Sequence, residues 1–191
     1  MSESYVMSRR ERKKLDCKYA ILRAARELFM ERGPDVPVED IANRADISYP
    51  TFFNYFPTKA ALYYAIYLEE IEDLREFIGL ELTDEPSAAR KIRRIFDEIM
   101  KDFVRYRYLD LHIAGEVARR NCESGSHEQI SVLFMEAIDS GRSTGEFRED
   151  IDPRNYAMLI AGIIFSTSFY SCEESDYHDM LSLLLDSMRT R

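Results

Sequence analysis

An all-α fold is predicted by three observations. Apolar residues recur at three- and four-residue spacing along most of the chain, no alternating stretch bounded by turn residues marks a strand, and caps and breakers fall where each periodic segment ends. Tyr19, Leu22, Ala25 and Phe29 form one face of a first helix, which Gly33-Pro34 stops. A short second helix places Val38, Ile41, Ala42 and Ala45 on one side. Ser48 is the expected N-cap of a third, with Pro50 tolerated in its first turn and Pro57 beyond its end. Thr58 then caps a long helix that opens Lys59-Ala-Ala-Leu62. The expected later spans are 58–80, 87–107, 109–121, 126–141, 153–171 and 175–189, separated by the segments 83–86, 123–125, 140–145 and 150–153. The expected organisation is a head of three helices over residues 1–57 and a helical body over 58–191, with residues 1–10 as a flexible basic arm.

Composition excludes several classes of function. With 191 residues, 46% of them hydrophobic and 32% charged, the chain is globular and able to bury a core without staples. Its longest near-continuous apolar run, residues 156–165, is about half of the ~20 residues a membrane span requires. The N-terminus meets the basic run Arg9-Arg-Glu-Arg-Lys-Lys14 with no apolar stretch behind it, so no signal peptide is expected. Cys17, Cys122 and Cys172 are too scattered for a disulfide framework and fit reduced thiols in a cytoplasmic protein.

The net charge of −9 is unevenly divided. Residues 1–67 carry 11 basic and 9 acidic side chains, while residues 68–191 carry 15 and 26. A basic head on an acidic body attracts DNA at one end and repels it from the other. A mixed-charge helix merely facing water fits the same counts.

The motif decides between these readings. A helix of about eight residues, a tight turn at Asp46-Ile-Ser48 and a second short helix make a helix-turn-helix. Ile41, Ala42, Ala45 and Ile47 pack the pair, and Phe52 and Phe56, four apart, anchor the second helix. Tyr49, Pro50, Thr51, Asn54 and Tyr55 are left for the major groove, where Asn54 suits a bidentate pair with adenine and Thr51 or Tyr55 suits a base or phosphate oxygen. The run Arg9–Lys14 is either an arm tracking the minor groove or a solubilising tail.

From Ile21 to Leu62 the sequence resembles the TetR family of bacterial one-component regulators. The resemblance lies in Ile21-Leu-Arg-Ala-Ala-Arg-Glu-Leu-Phe29, Val38-Glu-Asp-Ile-Ala-Asn-Arg-Ala-Asp-Ile-Ser48 and Thr51-Phe-Phe-Asn-Tyr-Phe-Pro-Thr-Lys-Ala-Ala-Leu62. It implies a three-helix DNA-binding head, a fourth helix leading into a ligand-binding and dimerisation body, and double-stranded operator DNA and a small-molecule effector as partners. Position by position, it implies that Arg44 is a phosphate or groove contact, that Ser48, Tyr49 and Thr51 are contacts at the start of the recognition helix, and that Lys59 is a phosphate clamp at a helix N-terminus. Pro37 stands where the family usually has a hydroxyl residue, Pro50 where glycine or another small residue is common, Phe53 where tyrosine is frequent and Tyr55 where histidine is. These departures bear on the operator sequence more than on the act of binding.

For the body, the resemblance implies that the last two helices pair with their copies in a homodimer, and Leu159, Ile163, Phe169, Leu181, Leu184 and Met188 are the candidates. Phe96, Met100, Phe103, Tyr106, His112 and Phe134 are candidate pocket residues, since aromatics and methionine suit an apolar ligand. Such stripes also occur as plain core. His112 and Glu116 are one turn apart but lack a third ligand, and Ser124 to His127 reads as a polar cap, so no metal site, cofactor or enzymatic activity is expected. The expected function is a ligand-responsive regulator, a repressor released from a palindromic operator. The alternative is a helical protein–protein adaptor with a vestigial helix-turn-helix.

Overall fold

A computed structural model describes residues 8–101, 127–166 and 173–190. The described residues are helices joined by short turns, and the extended pairing among them is an isolated antiparallel bridge between Phe147 and Arg189. Two compact units divide after Ile66, so the first two turns of the fourth helix belong with the head.

The first unit contains α1 (Arg9–Arg32), α2 (Val38–Arg44), α3 (Tyr49–Tyr55) and the start of α4 (Lys59–Glu81). Helix α1 begins at Arg9 because Ser8 and Glu11 form a reciprocal capping box: the Glu11 amide donates to the Ser8 hydroxyl, and the Ser8 amide donates to the Glu11 carboxylate. Residues 8–10 are therefore a helix start and not part of a flexible arm, a correction to the sequence reading. The S-x-x-E signature of that start was legible in the sequence. Gly33, at φ 81°, ends α1, with its amide donating to the Phe29 carbonyl. Pro37 opens α2 with no side-chain cap, as its lack of a hydroxyl dictates. Ser48 caps α3 and Thr58 caps α4 through bonds from the Thr51 and Ala61 amides.

Asp46, between α2 and α3, has φ 54°, a left-handed conformation that costs a side-chain-bearing residue about 1–2 kcal/mol. Aspartate tolerates it through its short polar side chain; a β-branched residue does not. Asp46→Val is expected to lower the unfolding free energy by about 1–2 kcal/mol and Asp46→Gly to leave it within about 1 kcal/mol, as read by urea denaturation.

The second unit continues with α5 (from residue 88 through 101, where this described segment ends), α6 (His127–Ser143), α7 (Pro153–Ser166) and α8 (Glu174–Met188). Its core holds Ile92, Phe96, Phe134, Ile138, Phe147, Ile160, Ile164, Leu181 and Leu185, each at most 1% exposed. Helix α5 is capped from a distance. The Glu146 carboxylate accepts the Ala88 and Ala89 amides at 2.6 and 3.1 Å and the Ser87 hydroxyl at 2.8 Å. An anion there satisfies orphan amides and complements the helix dipole. The same segment holds the chain's end, since the Arg148 amide donates to Met188 and the Thr190 amide to Glu146.

Candidate nucleic-acid interface

Helix α3 is seven residues long and owes its position to one side. Phe52 is fully buried and Phe56 nearly so, their rings tilted at 47° with centroids 5.9 Å apart, and Ile21, Leu22, Ile41 and Leu62 are fully or almost fully buried in the same unit. With that side fixed, Ser48, Tyr49, Pro50 and Asn54 are exposed and Thr51 is half-buried. The Tyr49 ring is braced edge-on against Phe53 at 4.9 Å, so it stands out from the helix with restricted freedom. The Ser48 and Thr51 hydroxyls are 2.7 Å apart and share a hydrogen bond, which leaves one of their two protons to donate to an external oxygen. Asn54 presents a free amide with both donor and acceptor, the chemistry that matches an adenine edge.

Three other expected contacts are occupied within the chain. Arg44 reaches back to α1: its guanidinium meets the Glu31 carboxylate at 2.9 and 3.2 Å and Glu27 at 3.2 Å. That hydrogen bonding holds the Glu31 carboxyl below its ordinary range and the Arg44 guanidinium above its own. A second pair, Arg32 to Asp40 at 2.7 Å, also ties α1 to α2. Arg44 is thus a latch between helices, and a phosphate would have to compete with two carboxylates for it.

Lys59 is half-buried. Its ammonium donates to the carbonyls of Pro34 and Val36, at 2.5 and 2.7 Å, and lies 5.7 Å from the ring centroids of both Phe29 and Tyr63. Burial pushes its pKa below the usual lysine value, against the pull of Asp35. The Tyr63 hydroxyl donates to the same Pro34 carbonyl, and burial raises its pKa. Lys59 therefore clamps the turn ahead of α2, with its charge directed inward. Tyr55 is half-buried, and the neighbouring Cys17 of α1 pushes its hydroxyl pKa up. Sequence reasoning missed all three because the partners lie 13 to 38 residues away.

Of the pocket candidates, Phe96, Met100 and Phe134 are buried in the body's core, whereas Phe103, Tyr106 and His112 lie outside the described residues, as do Glu116 and Ser124. Of the dimer candidates, Leu181 and Met188 are completely buried within the chain, so they are core residues and not available to a partner. Leu159 is 54% exposed, Ile163 and Leu184 are half-buried, and Phe169 lies outside the described residues. The outward apolar set on α7 and α8 also includes Met158, Met180 and Leu183, which sequence reasoning did not select. Helix α7 is accordingly apolar all round but buried on one side only. Among the described residues no helix is long and apolar enough to cross a membrane, and no group of three or more His, Cys, Asp or Glu is placed to hold a metal ion.

Comparison with known proteins agrees with this geometry. Residues 21–66 match the family described as bacterial regulatory proteins, tetR family. A relative in Bacillus subtilis (strain 168), the uncharacterized HTH-type transcriptional regulator YdeS, is 26% identical over 177 residues, covering 89% of this chain and 87% of its own. The crystal structure of the TetR transcriptional regulator SCO0520 from Streptomyces coelicolor is 27% identical with a TM-score of 0.60, covering 90% of this chain and 98% of that one. Thermus thermophilus FadR, a TetR-family repressor solved with lauroyl-CoA, shares the fold at 24% identity and a TM-score of 0.64, over 91% and 96% of the two chains. With a capped helix-turn-helix, an exposed face on α3 and an all-helical body, the chain carries over residues 21–66 the domain of the tetR family of bacterial regulatory proteins and is similar along most of its length to TetR-family transcriptional regulators.

Proposed function

We propose that the protein is a homodimeric cytoplasmic repressor that leaves a palindromic operator when a small molecule binds its body. The observation that carries this reading is the recognition face of α3, with Tyr49, Thr51 and Asn54 outward around a fully buried Phe52. An isologous pair supports reading two half-sites about one DNA turn apart, ~34–36 Å. The exposed Met158, Leu159, Met180 and Leu183 on the last two helices are the apolar surface such a pair would bury. A ligand with higher affinity for the DNA-free arrangement shifts the population away from the operator. FadR, solved with an acyl-CoA, supports an apolar or amphipathic effector class.

The test is affinity selection of genomic fragments by the purified protein across a salt series, read by sequencing. A recovered palindrome whose binding weakens as salt rises is expected. A folded dimer that enriches no fragment, even after being stripped of ligand by unfolding and refolding, would sink the proposal. On the recovered duplex, Asn54→Ala is expected to relax preference at one or two positions at a cost of about 1–3 kcal/mol, while leaving other positions unchanged.

A further inference from the structure

The N-terminal half of α1 has no evident role in the core. From Arg9 to Ala20 no residue is buried, and the first buried side chain is Ile21. Twelve helical residues extend ~18 Å, so about half of the helix is held by its Ser8 capping box and by contacts along one side. Within it, residues 9–18 carry six cations (Arg9, Arg10, Arg12, Lys13, Lys14 and Lys18) and two carboxylates, in a chain whose net charge is −9. Cations in the first turns of a helix oppose its dipole, so this placement works against local stability. Among the described residues, none of the six forms an ion pair, although Arg32 and Arg44 in the same unit do.

Register places these charges. Cys17 is half-buried and lies one turn before the fully buried Ile21, on the side of α1 that approaches Tyr55 at the end of α3. Residues three, four and seven positions before Cys17 share its face. Those residues are Lys14, Lys13 and Arg10. At about 100° per residue, Arg9, Arg12 and Lys18 lie roughly 80–140° around the helix from Cys17. A helix is about 10–12 Å across with its side chains and does not fit a minor groove about 6 Å wide, so a rigid basic helix beside α3 is suited to phosphates and not to groove tracking.

We propose that the N-terminal half of α1 is a rigid phosphate-binding rail, in which Arg10, Lys13 and Lys14 grip the DNA backbone outside the stretch read by α3. The inference rests on the DNA-binding reading above and adds to it a second, sequence-independent contact surface.

Two triple variants with the same change of charge test it on the duplex recovered by fragment selection. Arg10, Lys13 and Lys14 are replaced by Gln in one, and Arg9, Arg12 and Lys18 in the other, with circular dichroism confirming equal helicity. The first is expected to lose at least ~30-fold in affinity at 0.1 M salt and to flatten the slope of log affinity against log salt by about two to three units. The second is expected to lose less than ~3-fold, with a slope change under about one unit. Equal losses would mean general charge and overturn the rail, as would no loss in either. With the wild-type protein, trimming the duplex to the bases read by α3 is expected to cost at least ~10-fold, and unchanged affinity would also overturn it. Wild-type protein that binds no duplex would instead overturn the regulator reading, and this inference with it.

Discussion

Gly141→Ala is expected to destabilise the body by about 2–4 kcal/mol, although alanine is the better helix former. Gly141 lies inside α6, and a Cβ placed there would sit 2.3 and 2.6 Å from ring carbons of Phe147 and 2.7 Å from the Ala88 Cβ. None of these neighbours can retreat easily. Phe147 is 1% exposed, and its segment is pinned by the backbone bonds to Met188 and Thr190. Ala88 opens α5, and its amide is held by Glu146. The helix-propensity gain of about 1 kcal/mol is therefore outweighed by overlap. Urea denaturation reads the loss, and a double-mutant cycle assigns it. Phe147→Ala alone is expected to cost about 3–5 kcal/mol, and Gly141→Ala in that background less than half its single-mutant value. Additive losses would show that the overlap with Phe147 is not the cause.

Lys59→Met is expected to destabilise the head by about 2–3 kcal/mol while leaving the salt slope of DNA binding within about half a unit of wild type. A phosphate clamp predicts the opposite, a slope flattened by about one unit with stability preserved. The two outcomes separate because the Lys59 ammonium is committed to the Pro34 and Val36 carbonyls. Methionine keeps the length and apolar stem but removes the donors, leaving the Val36 carbonyl short of a partner. Pro34 retains the Tyr63 hydroxyl, which bounds the loss. Any fall in DNA affinity should then track the loss of fold, because the turn that Lys59 grips leads directly into α2. Chemical denaturation and a salt titration on the same preparation read both quantities.

The head was legible in the sequence because its signals are local. Ser48 caps α3 and Thr58 caps α4 through amides three residues on, and Gly33 closes α1 on Phe29 four residues back. Phe52 and Phe56 are one turn apart, so their shared burial follows from helical periodicity alone. Even the start of α1 was written locally in Ser8 and Glu11, although the basic run behind them reads as an arm when charge alone is weighed. The outward face of α3 was recoverable for the same reason, because once Phe52 is inside, Tyr49 and Asn54 must be outside.

What the sequence by itself determined is the all-helical class, the helix-turn-helix and the exposed face of α3. Each depends on residues within about one turn of one another, where bonding is dictated by spacing. Only the tertiary structure decided which cations are engaged within the chain. Arg44 is taken by glutamates 13 and 17 residues earlier, and Lys59 by carbonyls 23 and 25 residues earlier. It likewise decided that Glu146 caps a helix more than fifty residues before it, and that Gly141 must lack a side chain. A charged or small residue can serve equally well in water, in a core or against a phosphate. Which of these it meets is set by chain segments that only folding brings within reach.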